Sequence, residues 1–133
     1  MEKYQVYLKA VTRGHVPVLE YMGPYHDEHL FSYAIVYNQL ESFKWLIENM
    51  QAAVDMRGNL MLYNRLDFIQ YLHTKRMLGG EWCNLAAQHG RLEILKWLRQ
   101  EGYPWTSQVI RVADIFGHHD LVMWAIENGC PIE

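Results

Sequence analysis

The sequence predicts an all-α solenoid of about five short helix–turn–helix repeats, and three observations carry that prediction. A glycine or asparagine recurs at positions 14, 38, 64, 90 and 117, at spacings of 24, 26, 26 and 27 residues. Each is followed by a similar stretch: HVPVLEYM, QLESFKWL, RLDFIQYL, RLEILKWL and HHDLVMWA. Within each stretch the apolar residues fall at the spacing of an amphipathic helix. A period of this size marks a repeat architecture, whose units bury their apolar faces only by stacking on neighbours.

Each column of the alignment has a physical role. The anchor column, Gly14, Asn38, Asn64, Gly90 and Gly117, holds the two residue types that best tolerate the positive φ of a helix C-terminus or tight turn. First helices are expected near 4–13, 28–37, 58–63, 81–89 and 107–116. Second helices are expected near 16–22, 40–49, 66–75, 92–101 and 119–128. Three residues past the anchor stand Pro17, Glu41, Asp67, Glu93 and Asp120. Acids there complement the helix dipole, and a proline fits a first turn that needs no backbone donor. Four residues before the anchor stand Ala10, Ala34, Leu60, Ala86 and Ala113, mostly small enough to let helices approach closely. Seven residues past it stand Tyr21, Trp45, Tyr71, Trp97 and Trp124. This aromatic column is expected to dominate the core, each truncation to alanine costing about 3–5 kcal/mol. Gly23-Pro24, Gly102-Tyr103-Pro104 and Gly129-Cys130-Pro131 stop second helices. The repeats then run approximately 4–27, 28–54, 55–80, 81–106 and 107–133, within a single domain 1–133.

Composition narrows the function classes. Half of the 133 residues are hydrophobic and a fifth are charged, enough for a packed core without staples. A net charge of −3, with basic residues spread singly apart from Lys75-Arg76, gives no electrostatic footprint for nucleic acid. No apolar run is long enough to span a bilayer, and MEKYQVYLKAVTRG has no signal-peptide core. Two cysteines, Cys83 and Cys130, make no disulfide framework, so a reducing cytoplasmic compartment is expected, with both thiols as packing residues.

The stretch LAAQHGRLEILKWLRQEG resembles the ankyrin repeat, through L-A-A-x-x-G, a first-turn L-E and a paired apolar second helix. The resemblance is strong in the fourth unit and fair in the first, second and fifth. It is weak in the third, where NLMLYNRLDFIQYL has lost the alanines and the glycine. Together the units cover about residues 4–131. No unit carries T-P-L-H, and the period falls short of the family's typical length of about 33 residues. The missing length lies where the ankyrin finger would project, so little or no β-hairpin is expected, only tight loops such as EGYPWTS. The short period and the K-W-L and Q-Y-L aromatics resemble the divergent ankyrin repeats of large DNA viruses and protists.

The resemblance implies a non-enzymatic protein–protein interaction module, an adaptor or scaffold without cofactor, metal or catalytic residue, that binds through the exposed face of its first helices. The family's variable contact positions fall here on Thr12-Arg13, Val36-Tyr37, Leu62-Tyr63, Gln88-His89 and Ile115-Phe116. The candidate partner-binding residues are Arg13, Tyr37, Tyr63, His89 and Phe116, joined by Val36, Gln88 and Ile115. Tyrosine, arginine and bulky aromatics are enriched at protein interfaces. One reading is a hydrophobic-aromatic groove for a protein partner. The other is that the aliphatics and some rings pack between neighbouring first helices. Two rival functions stand beside the adaptor: an inhibitor or decoy of a host protein in the host cytoplasm, if the chain is viral, and a self-stacking element. The first unit begins almost at Met1 and the last stops just after GCPIE. Neither end has a polar cap, so a monomer or weak self-association through the ends is expected.

Other constellations have plainer readings. His26 and His29 flank two acids in HDEH; a metal would need both on one helix face, and solvated loop residues with an acidic cap are the simpler account. His118 shares with His15, Gln39, Arg65 and Arg91 the column after the anchor, a polar turn position. Cys83 and His89 lie on one short helix with no orienting acid, against a nucleophile–base pair. Five tryptophans lack the interleaved positive charge that base stacking requires. No phosphate loop, HExxH or GxSxG occurs.

Overall fold

A computed structural model describes residues 2–25, 27–50 and 55–132. Among the described residues ten helices run in chain order: α1 (Lys3–Arg13), α2 (Val16–Met22), α3 (His29–Val36), α4 (Leu40–Asn49), α5 (Arg57–Leu62), α6 (Leu66–Thr74), α7 (Trp82–Gln88), α8 (Leu92–Gln100), α9 (Gln108–Ile115) and α10 (His119–Glu127). Each bound lies within one residue of the span read from the sequence. No strand occurs among the described residues, and no described helix is long and apolar enough to cross a membrane.

Five identical turns join the odd helices to the even ones. The anchor residues adopt the left-handed conformation, with φ of 73° at Gly14, 57° at Asn38, 56° at Asn64, 68° at Gly90 and 78° at Gly117. The next backbone N–H reaches back five residues: His15 to the Ala10 carbonyl, Gln39 to Ala34, Arg65 to Leu60 and Arg91 to Ala86, each at 2.9 Å, and His118 to Ala113 at 2.8 Å. This hydrogen-bonded cap satisfies carbonyls that a helix end would leave open, and it turns the chain into the second helix.

The chain divides into two compact units, Met1–Tyr71 and Leu72–Glu133, the division falling inside α6. In the first, α3 packs between α1 and α5, and α4 packs on α1, α2 and α3. Ala10, Ala34 and Leu60 are buried along the first helices. The core rings are Tyr7, Phe31, Phe43 and Phe68, each no more than 1% exposed. Phe43 lies 4.8 Å from Phe68 and meets Phe31 edge-on at 6.5 Å. In the second unit α7 packs on α8 and α9, and α10 on α9. Its core is mainly aliphatic: Ala86, Ala87, Ile94, Leu95, Leu98, Val109, Ala113, Leu121 and Ala125 are buried, together with Trp82 and Cys83.

The aromatic column is not the core, contrary to the expectation from the sequence. Trp45 alone is buried, at 7% exposure, while Tyr21 is 92% exposed. Tyr71, Trp97 and Trp124 are half-buried. The core instead uses columns four, five and eight past the anchor, as in Phe68, Phe43 and Leu46. At about 100° per residue these share one helical stripe, and the aromatic column lies roughly 100° from its middle.

Candidate functional site

The two residues before each anchor sit at the C-terminal ends of the first helices, where the chain turns away from the core. In the first unit Val36, Tyr37, Leu62 and Tyr63 are 38%, 57%, 55% and 39% exposed. Arg13 is exposed beside them. Thr12, Arg13 and Tyr37 also line a concavity of about 290 Å³ with Lys9, Leu8 and Tyr33. In the second unit Ile115 and Phe116 are 70% and 56% exposed. Gln88 is exposed, and His89 is half-buried. Val36, Leu62 and Ile115 are thus not fully buried between first helices. Burial, reinforced by the neighbouring Arg91 and His118, holds the His89 imidazole below its ordinary pKa.

A second column, the polar turn position after the anchor, fixes these ends. Gln39 Nε2 donates to the Thr12 carbonyl at 3.0 Å. Arg65 donates from Nε to the Ile35 carbonyl at 2.7 Å and from Nη2 to the Val36 carbonyl at 3.1 Å. His118 Nε2 lies 3.0 Å from the Gln88 carbonyl oxygen and donates to it as the Nε2–H form. Gln39, Arg65 and His118 thus each tie a hairpin to the end of the preceding first helix. Open helix-terminal carbonyls favour cations there, which suits arginine. Arg65 also lies 5.9 Å from the Tyr63 ring centroid. The sequence shows this column only as polar; its reach across to the neighbouring helix carries no local signal.

Half-buried rings of the second unit contact one another. His73 meets Trp97 edge-on at 5.2 Å, hydrogen-bonds the Tyr103 hydroxyl through Nδ1, and pairs with Glu101 through Nε2 at 3.3 Å. Trp105 meets Trp124 at 5.8 Å. Arg99 lies 4.4 Å over Trp105 and Lys96 6.0 Å over Trp124. Trp45 and Trp82 are buried, and Trp97, Trp105 and Trp124 are half-buried.

The remaining candidates resolve simply. Cys83 and Cys130 are buried free thiols. Burial pushes the Cys83 thiol up to about 11, which leaves no thiolate for nucleophilic work at neutral pH. His26 lies outside the described residues. Asp27 Oδ1 accepts from the His29 backbone N–H and from its Nδ1, both at 3.0 Å, as an acidic cap does at a helix start. No cluster of three metal-ligating side chains occurs among the described residues. No protein family, no characterised protein and no solved structure matches this chain.

Proposed function

We propose that this chain is an ankyrin-like repeat stack, non-enzymatic, that binds a protein partner through the C-terminal ends of its first helices. One observation carries the reading. Twelve large apolar side chains are exposed among the described residues, and six of them are Val36, Tyr37, Leu62, Tyr63, Ile115 and Phe116. Two columns of the repeat thus hold half of the exposed apolar groups. In the first unit Val36, Tyr37, Leu62 and Tyr63, and in the second Ile115 and Phe116, stand exposed at first-helix ends, and exposed apolar side chains grouped on a folded surface mark an interaction site. Tyrosine and phenylalanine supply contact area at low entropic cost, as interface anchors do. Gln39, Arg65 and His118 hold the ends of α1, α3 and α7 in place before any partner arrives, which lowers the ordering cost of association there.

The reading is tested by affinity capture from lysate, with wild type beside a Tyr37→Ala/Tyr63→Ala/Phe116→Ala variant whose helicity is confirmed by circular dichroism. A partner captured by wild type and lost with the variant is the expected result. The same partners on both would place binding elsewhere and sink the reading.

A further inference from the structure

Within the first unit, the first-helix face is charged on one helix and apolar on the next two. On α1, Gln5, Leu8, Lys9, Thr12 and Arg13 stand three or four residues apart and so share one helix face. With Tyr33 and Tyr37 they line the concavity of about 290 Å³ between α1 and the end of α3. Lys9 and Arg13 are both exposed. Among the described residues neither makes an ion pair, and no acid lines the concavity. Asp27, which stands by Tyr4 and Tyr33, already accepts from the His29 backbone N–H and ring.

The equivalent positions on α3 and α5 carry no charge. Five residues before the anchor, Lys9 is succeeded by Tyr33 and Asn59; one residue before it, Arg13 is succeeded by Tyr37 and Tyr63. The dipole of α1 favours a cation in its last turn and accounts for Arg13. Lys9 lies a turn earlier, where the dipole gives no reason for it. Arg65, by contrast, is held by the Ile35 and Val36 carbonyls. Two cations without a carboxylate thus stand beside the exposed apolar groups Tyr37, Leu62 and Tyr63.

We propose that the partner segment bound at this face is an acidic–apolar peptide, lying extended across α1, α3 and α5. The proposal rests on the reading of the first-helix ends as the binding face. An Asp or Glu carboxylate of the peptide enters the concavity and pairs with Lys9 and Arg13, the guanidinium offering two parallel donors. An apolar side chain of the same peptide lies on Tyr37, Leu62 and Tyr63. The charges set which partner is accepted, and the apolar contact supplies the area. Packed helices lie about 8–10 Å apart and an extended chain rises about 3.3 Å per residue, so the acid and the apolar anchor are about five or six residues apart.

Selection on the full chain from displayed random peptides of about twelve residues, long enough for that spacing, tests the proposal. Wild type is expected to enrich Asp or Glu at that distance from Leu, Phe or Trp. Lys9→Glu/Arg13→Glu, with helicity confirmed by circular dichroism, is expected to enrich Lys or Arg in place of the acid. A selected acidic peptide, synthesised with a fluorescent label, is expected to bind Lys9→Gln/Arg13→Gln about tenfold more weakly than wild type by anisotropy. That difference is expected to vanish at about 1 M salt, where exposed charges are screened. An acid preference that survives charge reversal would overturn the proposal. Apolar peptides without an acid, lost only with Tyr37→Ala/Tyr63→Ala, would overturn it and leave the binding face standing. Peptides that bind Tyr37→Ala/Tyr63→Ala like wild type, or no enrichment over a blank support, would overturn both.

Discussion

Arg65 Nε donates to the Ile35 carbonyl at 2.7 Å, from the turn of one hairpin to the end of the first helix of the hairpin before it. The same guanidinium reaches the Val36 carbonyl at 3.1 Å. Two exposed side chains of the candidate surface, Val36 and Tyr37, therefore stand on a helix end that a neighbouring hairpin holds. Hydrogen bonds to a charged donor are the stronger kind. Arg65→Ala is expected to lower unfolding free energy by about 1–3 kcal/mol, and Gln39→Ala, with one neutral bond, by about 1 kcal/mol. Urea denaturation gives both; an Arg65 loss smaller than that of Gln39 contradicts this account of the turn column.

Gly90 and Gly117 share a left-handed backbone, at φ 68° and 78°, but differ in what stands above them. Alanine at either position carries the left-handed penalty of about 1 kcal/mol. At Gly90 it also displaces the His118 ring and its bond to the Gln88 carbonyl, worth about 1 kcal/mol more. Gly90→Ala is therefore expected to melt at a lower temperature than Gly117→Ala, by calorimetry. Equal melting temperatures would mean that His118 does not sit over Gly90 in solution.

Phe43 is fully buried and Tyr21 almost fully exposed, although both belong to second helices. Phe43→Ala is expected to cost about 3–5 kcal/mol. Tyr21→Ala is expected to stay within about 0.5 kcal/mol of wild type. Comparable losses at the two positions would restore the aromatic column to the core.

The helix α5 has six residues and an exposed glycine near its start. Its first turn is held by Asp55, which accepts from Arg57 Nε and Nη2, both at 2.9 Å, and from the Arg57 backbone N–H at 3.1 Å. These bonds hold the Asp55 carboxyl at about 2, below its ordinary 3.8. A depressed folded pKa contributes stability above the unfolded value, lost as pH falls through the folded one. The window here is pH 4 to 2. The pair is largely exposed, so its contribution is under about 1 kcal/mol. Hydrogen exchange is expected to be faster in α5 than in α7 at neutral pH. Asp55→Asn is expected to flatten the acid dependence of stability across that window. Equal protection of the two helices, or an unchanged acid limb in the variant, would refute this.

How much of this was legible in the sequence varies by column. The anchors were, because only glycine and asparagine enter the left-handed region cheaply, and Gly14, Asn38, Asn64, Gly90 and Gly117 all do so. Ala10, Ala34, Ala86 and Ala113 were also legible, since a small residue has one reading on a packed helix. The aromatic column was misread because large rings suit both a core and its margin. Trp124 lies at the margin, under the ammonium group of Lys96. Gln39, Arg65 and His118 share only polarity, so their common reach to a neighbouring helix end appears once the hairpins are in place. The exposure of Tyr37, Tyr63 and Phe116, like that of Val36, Leu62 and Ile115, needed the structure, because the sequence left groove and packing both open, and His89 at an equivalent position is half-buried.

Amide chemical-shift mapping of the isotope-labelled chain, titrated with the captured partner, tests the central claim most directly. The account predicts perturbations concentrated at Arg13, Val36, Tyr37, Tyr63, Gln88, His89, Ile115 and Phe116. Perturbations concentrated instead at Trp97, Tyr103, Trp105 and Trp124 would contradict it and assign binding to the second-helix face.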